Sequence, residues 1–221
     1  MNRIAFFFGT RPEIIKLAPI IRAAELDPEL EVLVISTGQH REMAAQALES
    51  FGLIPEIDLS LMTENQTPTS FLAALLSRLE GVLLAEAVDY VVVQGDTTSA
   101  LGGALTAFHL QLPIAHVEAG LRTYDLASPF PEEMNRSVIS KLATLHFCPT
   151  PQAAENLARE GITEHVFTVG NSIVDALQMI DSALLSGKAP LEKSVYDLNV
   201  TERRYLPVSY THLTLPTNRE V

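Results

Sequence analysis

Between residues 3 and about 185, short apolar runs alternate with longer stretches whose apolar residues recur every three and four positions. This alternation limits the possible folds more than any other feature of the chain. The runs are Ile4–Phe8, Val32–Ser36, Tyr90–Gln94, Ile114–Val117, His146–Cys148 and Val166–Val169. Most are continuous rather than alternating, as strands buried on both faces must be. Between them, Ile14, Leu17, Ile21 and Ala24, then Met43, Ala47, Leu48 and Phe51, then Phe71, Leu75, Leu79 and Leu83 predict helices. Further helices are predicted over about 98–110, 133–143, 151–160 and 173–185, with Thr150 and Pro151 as a cap and first-turn pair. Strands separated by helices in this order predict an α/β protein, a doubly wound parallel sheet of Rossmann-like type.

Charge and composition narrow the partners. The formal net charge is −12 and no basic stripe with interleaved aromatics is present, which argues against nucleic-acid binding. An anionic ligand must therefore be held by a few local cations, with Arg11, Lys16, Arg41, Arg122 and Arg136 as candidates. The hydrophobic fraction is 47%. Even so, no apolar stretch reaches the roughly 18 uninterrupted residues that a membrane span requires, and the apolar content is assigned to a buried sheet. Ile4–Phe8 runs at once into Gly9 and Arg11 without a small-residue cleavage pattern, so it reads as a strand rather than a signal peptide. Cys148 is the single cysteine, which suits a reducing, cytoplasmic setting.

In doubly wound sheets ligands bind outside the carboxyl ends of the strands, so residues just after each strand are candidate site residues. After the first strand come Gly9, Thr10, Arg11, Pro12 and Glu13, with Lys16 one turn on. Glycine, a helix start and two cations outline a phosphate site, while an ordinary strand-to-helix turn accounts for the same residues. Neither G-x-G-x-x-G nor a P-loop pattern occurs. Asp96 follows the run ending at Gln94, either as a site carboxylate or as a helix cap. Glu118 follows Val117, where Gly120 and the irregular stretch to Pro131 leave no helix for it to cap. Glu132 and Glu133 open the next helix, and first-turn acids also favour the helix dipole.

Carboxylates converging opposite an anion-binding turn suit acid–base chemistry on a phosphorylated small molecule. His116 and Glu118 point to one side of their strand, but without H-E-x-x-H or C-x-x-C patterns no metal site is expected. Gln39, His40, Arg41 and Glu42 form another polar strand-end cluster, whereas His109, His146 and His165 read as structural or solvent-facing.

Taken in order, Gly9 to Glu13 with Lys16, Gln39 to Arg41, Gly95 to Thr98, His116 to Thr123, Pro131 to Glu133 with Asn135 and Arg136, and Val169 to Asn171 with Val174 and Asp175 closely resemble the non-hydrolysing UDP-N-acetylglucosamine 2-epimerases of bacteria. The resemblance runs from residue 3 to about 185. It implies two Rossmann-like domains facing across a cleft, the glycosyltransferase-B-like architecture. Residues 1–170 would be the first domain, 171–206 the hinge and the start of a UDP-binding domain, and 207–221 a tail foreign to the fold. It further implies inversion at carbon 2, giving UDP-N-acetylmannosamine, through elimination of UDP to 2-acetamidoglucal and its re-addition, with no cofactor. By the same resemblance Asp96, Glu118 and Glu132 are the acid–base group, Arg11 and Lys16 lie at the phosphate end, and Gln39, His40 and Glu132 lie at a site where the substrate is also an allosteric activator. A homodimer is implied for the full-length protein.

The chain departs from the family pattern near its end. After Glu202 to Leu206 a strand should lead into a His-Arg-Arg-Glu motif, and Pro207 begins something unrelated. A truncated chain, inactive alone and with an exposed apolar flank, is the resulting expectation. The alternatives are the donor-binding half of a nucleotide-sugar glycosyltransferase and a non-catalytic fragment.

Overall fold

The structure, a computed structural model, describes residues 1–38, 41–63 and 65–185. One parallel sheet holds β1 (Asn2–Phe8), β2 (Leu30–Ser36), β3 (Ile57–Asp58), β4 (Tyr90–Gln94), β5 (Ile114–Val117), β6 (Leu145–Cys148) and β7 (Val166–Thr168), in the order β3-β2-β1-β4-β5-β6-β7. Its crossovers are α1 (Arg11–Ala24), α2 (Arg41–Phe51), α3 (Pro68–Ala85), α4 (Thr98–His109), α5 (Glu132–Leu142) and α6 (Pro151–Arg159), and α7 (Ile173–Leu185) follows β7. The α/β doubly wound class is thus the observed one.

Consecutive phenylalanines in β1 explain why the sheet must be covered on both sides. Phe6 and Phe8 join Ile14, Leu17 and Ile21 of α1 on one face, while Phe7 joins Leu75 and Leu79 of α3 and Ala100 and Ala104 of α4 on the other. Each phenylalanine is at most 2% exposed, and burying such a side chain is worth about 1.5–3 kcal/mol, so neither layer of helices is dispensable. By length and composition α3, at 18 residues and mean hydropathy 1.3, could cross a membrane. Its Phe71, Leu75, Leu79 and Leu83 are instead spent in the core.

Helix starts follow local chemistry. Thr67 accepts a hydrogen bond from Ser70 N–H at 3.1 Å before Pro68, and Thr150 accepts one from Ala153 N–H at 3.2 Å before Pro151. β3 has no counterpart among the predicted strands, and α5 starts one residue earlier than predicted, at Glu132. α7 puts Ala176, Met179 and Ile180 into the same core as α1. Most of the 171–206 segment beyond it, and all of 207–221, lie outside the described residues.

Strand order sets where a ligand can bind. The chain winds from β1 to β2 and β3 in one direction and from β4 to β7 in the other, so the sheet reverses between β1 and β4. A crevice opens there at the carboxyl ends of the strands.

Candidate active site

Thr97 decides what Asp96 can do. The Thr97 hydroxyl accepts a hydrogen bond from Ala100 N–H at 2.9 Å and caps α4, so Asp96, one residue earlier, is released from capping. Its carboxylate meets the Arg136 guanidinium, and its own carbonyl accepts from Asn135 Nδ2 at 2.8 Å. Burial raises the Asp96 pKa, Arg136 opposes the shift, and the neighbouring Glu118 and Glu132 charges reinforce it. A carboxylate held this way is poised to exchange a proton.

Glu118 leaves β5 with φ +66°, a left-handed conformation that costs a non-glycine residue energy. Four donor contacts hold it there. Lys16 Nζ lies 2.7 and 2.6 Å from its two carboxylate oxygens, Gln94 Nε2 at 2.6 Å and Asn171 Nδ2 at 3.1 Å. The Asn171 Oδ1 also accepts from Ile173 N–H at 3.0 Å, so one side chain joins the start of α7 to Glu118.

The two adjacent acids of α5 separate cleanly. Glu133 is 1% exposed and accepts from Thr123 N–H at 3.0 Å and Tyr124 N–H at 2.9 Å, fixing the rim loop. Arg136 Nη1 stands 3.3 Å from it. Glu132, half-buried, lines the cavity and has no hydrogen-bond partner among the described residues.

The first-strand turn is built differently from a bare phosphate cradle. A Cβ added to Gly9 would lie 2.1 Å from Ser99 Oγ, so the glycine serves close packing against α4. Glu13 is 1% exposed and accepts from Gly9 N–H (3.1 Å), Thr10 N–H (2.7 Å), the Thr10 hydroxyl (2.7 Å) and the Thr97 hydroxyl (2.8 Å). It fastens the β1 turn to the start of α4, and burial raises its pKa against those hydrogen bonds. Lys16 lines the cavity and is committed to Glu118. Arg11 is exposed and lies outside the cavity lining.

Behind Asp96, the fully buried His116 approaches Gly95 O with Nε2 at 2.7 Å. A carbonyl only accepts, so Nε2 carries the proton and Nδ1 is bare. Burial first, then the His146, Arg122 and Arg136 charges, lower its pKa to about 3. Arg122 is bidentate to Glu160 at 2.6 and 2.9 Å and donates to Ser140 Oγ at 3.0 Å, which makes it a structural cation.

Asp96, Glu118, Glu132, Lys16, Glu13 and Arg136 together wall a cavity of about 290 Å³ at the sheet reversal. A larger cavity of about 440 Å³ runs down the sheet beside α1, lined mainly by apolar residues such as Phe6, Val92 and Phe147, with Glu118, Asn171, Ser172 and Asp175 among its few polar lining residues. The smaller cavity, with its convergent carboxylates, is the one equipped for chemistry. Among the described residues no group of three or more His, Cys, Asp or Glu could hold a metal ion. Gln39 and His40 lie outside the described residues.

Glu13, Gln94 and His116 escaped assignment to the site from sequence. Gln94 carries a readable signal, a polar residue closing an otherwise apolar buried strand, and it is 2% exposed. Glu13 carries one as well, since with Thr10 it spells a Thr-x-x-Glu capping box at the start of α1, but its contact with the Thr97 hydroxyl, 84 positions away, leaves no local trace.

A family model described as UDP-N-acetylglucosamine 2-epimerase matches residues 22–212. The UDP-N-acetylglucosamine 2-epimerase of Salmonella typhimurium is 41% identical over 208 residues, 92% of this chain and 55% of that protein. The Escherichia coli K12 enzyme is 43% identical over 185 residues, 83% and 49% of the two chains. Among solved structures, the UDP-GlcNAc 2-epimerase from Neisseria meningitidis bound to UDP-GlcNAc superposes with TM-score 0.80 at 39% identity, covering 85% of this chain and 52% of that one. The Methanocaldococcus jannaschii UDP-GlcNAc 2-epimerase in complex with UDP-GlcNAc and UDP gives TM-score 0.79 at 39% identity, with coverages of 89% and 52%. The chain spans about half the length of the curated relatives it matches.

Proposed function

The chain belongs to the UDP-N-acetylglucosamine 2-epimerase family, and from that premise we propose that it carries the acid–base carboxylates that invert carbon 2 of UDP-N-acetylglucosamine. The observation that carries this reading is the meeting of Asp96, Glu118 and Glu132 on one 290 Å³ cavity with Lys16 and Arg136. In the proposed reaction a carboxylate takes the carbon 2 proton while the bond from carbon 1 to the diphosphate oxygen breaks. The products are 2-acetamidoglucal and UDP. Re-addition of UDP with protonation from the opposite face gives UDP-N-acetylmannosamine. No net electrons are exchanged, so the chemistry calls for no redox cofactor.

Two faces of one carbon must be served, and three carboxylates around one cavity suit that need. Transfer of the sugar to an acceptor, the task of a glycosyltransferase half, usually takes a single base. Lys16 at the cavity wall and Arg11 at the exposed turn are assigned to the phosphate end. The cavity holds more acid than base, so most of the diphosphate charge must be met by groups beyond this wall. A second domain starting near Asn171 is the proposed source of those groups, and 1–221 alone is expected to turn over little. Gln39 and His40 as an activator site, a homodimeric full-length protein and a cytoplasmic setting belong to the same proposal. Cys148 fits that setting as an inert thiol, buried and pushed up to about 11.

The test is a chimera in which residues 1–185 replace the matching part of the Salmonella typhimurium relative. In heavy water, proton NMR should show the carbon 2 proton of UDP-N-acetylglucosamine washing out, and Asp96→Asn should stop it. A folded chimera that binds UDP yet leaves that proton in place overturns the assignment.

A further inference from the structure

Asp96 is gripped at three points. Arg136 takes its carboxylate, Asn135 its carbonyl, and His116 the carbonyl of the preceding Gly95. Arg136 and Asn135 come from α5, so His116 on β5 is the only one of the three anchored in the sheet itself. Gly95 sits at φ +70° and its N–H donates to Val117 O at 3.0 Å, which ties the start of this turn to β5 as well. The turn that presents Asp96 therefore depends on β5 for both polar groups of Gly95.

The surroundings of His116 restrict how it can act. His146 stands beside it on β6 in direct register, with Arg122 after β5 and Arg136 on α5 as the cations facing it. Its Nδ1 is buried without a hydrogen-bond partner among the described residues. A second proton there would be an unpaired charge among cations, a state strongly disfavoured in a protein interior. Only the neutral ring with hydrogen on Nε2 satisfies both the Gly95 carbonyl and this setting.

We propose that His116 is a positioning residue for Asp96, acting as a permanently neutral donor to the Gly95 carbonyl. Its importance to catalysis rests on the function proposed above, but its action on Asp96 does not. Loss of the donor frees the Gly95–Asp96 peptide, lets Asp96 leave its buried place against Arg136, and returns its carboxyl to water.

Nitrogen and carboxyl-carbon NMR on the 1–221 protein tests this without substrate. Expected for the parent is a His116 ring that keeps the Nε2–H tautomer and does not titrate between pH 5 and 8. His116→Gln places an amide nitrogen where Nε2 stands and should leave the Asp96 titration in place. His116→Met, of similar bulk without a donor, should move the Asp96 midpoint down toward the ordinary carboxylate value. An Nδ1–H tautomer, a His116 midpoint above pH 5, or an unmoved Asp96 in a folded Met variant overturns the proposal. If the Met variant does not fold, the parent tautomer and the Gln variant decide. A Gln variant that folds but shifts Asp96 counts against positioning by the donor. Failure of the chimera to exchange the carbon 2 proton, with these NMR results intact, would sink the proposed reaction and leave the role of His116 standing.

Discussion

Lys16 Nζ lies within 2.7 Å of both carboxylate oxygens of Glu118, and the two side chains come from elements 102 positions apart. They are 12% and 10% exposed, so the pair is largely withdrawn from water. Breaking such a pair from one side strands a charge, which costs more than the pair itself contributes. Lys16→Met is therefore expected to destabilise the fold by about 3–5 kcal/mol. Glu118→Gln in the same background should restore part of the loss. Urea denaturation of the two single variants and the double variant gives the coupling, expected at about 1–3 kcal/mol. A coupling near zero would mean that Gln94 and Asn171 hold Glu118 without help.

His116 predicts how the fold responds to acid. Its folded-state pKa, about 3, lies below the ordinary 6.5, so the unfolded chain binds the proton more readily between those values. The contribution to stability is fully present above pH 6.5 and is lost progressively as pH falls toward 3. The expected slope is up to about 1.4 kcal/mol per pH unit in that window. Urea titrations at a series of pH values should show it in the parent and a shallower slope in His116→Gln. Equal slopes would remove His116 as the cause.

Much of this architecture was legible in the residues. Tyr90–Gln94 and Ile114–Val117 have the same ends in the structure as in the sequence reading, because an apolar strand buried on both faces stops where polar residues begin. β3 was not legible. Ile57 and Asp58 form a two-residue edge pairing with Ile35 and Ser36, too short to carry any period. Within the site, the carboxylates after β4 and β5 stood out from their positions at strand ends. What sequence could not settle was whether Asp96 or Thr97 capped α4, since both side chains do so readily. Glu13 with Thr10 spells a local capping box, but its burial was hidden, because that depends on Thr97 arriving from a distant strand end.

Glu13 predicts an opposite pH effect. Its pKa is raised by burial, so the folded state favours the protonated carboxyl. Stability from this group is present below pH 4.5 and is lost as pH rises through the raised folded value. Glu13→Gln keeps an oxygen to accept from Gly9, Thr10 and its hydroxyl, and removes the buried charge. Thermal melts at pH 7 should place this variant at or above the parent. Glu13→Ala, which strips acceptors from two buried N–H groups, should fall below it by about 1–3 kcal/mol. A Gln variant as unstable as the Ala variant would show that the charge itself is needed.

The neighbouring acids of α5 should behave as opposites, because the rotation of about 100° between consecutive helix positions sends them to different surroundings. Glu133 holds two backbone N–H groups of the rim loop and faces Arg136, and it is 1% exposed. Glu133→Gln weakens charge-assisted bonds and leaves Arg136 less compensated, so a loss of about 1–3 kcal/mol is expected. Glu132 has no such duties. Glu132→Gln should melt within a degree or two of the parent, about the spread expected of a substitution away from structural contacts. In the chimera it should nonetheless lower carbon 2 exchange by about 100-fold or more, the scale of a lost acid–base group. A Glu132 variant that is unstable, or a Glu133 variant that is stable and inactive, would exchange the roles of the two residues.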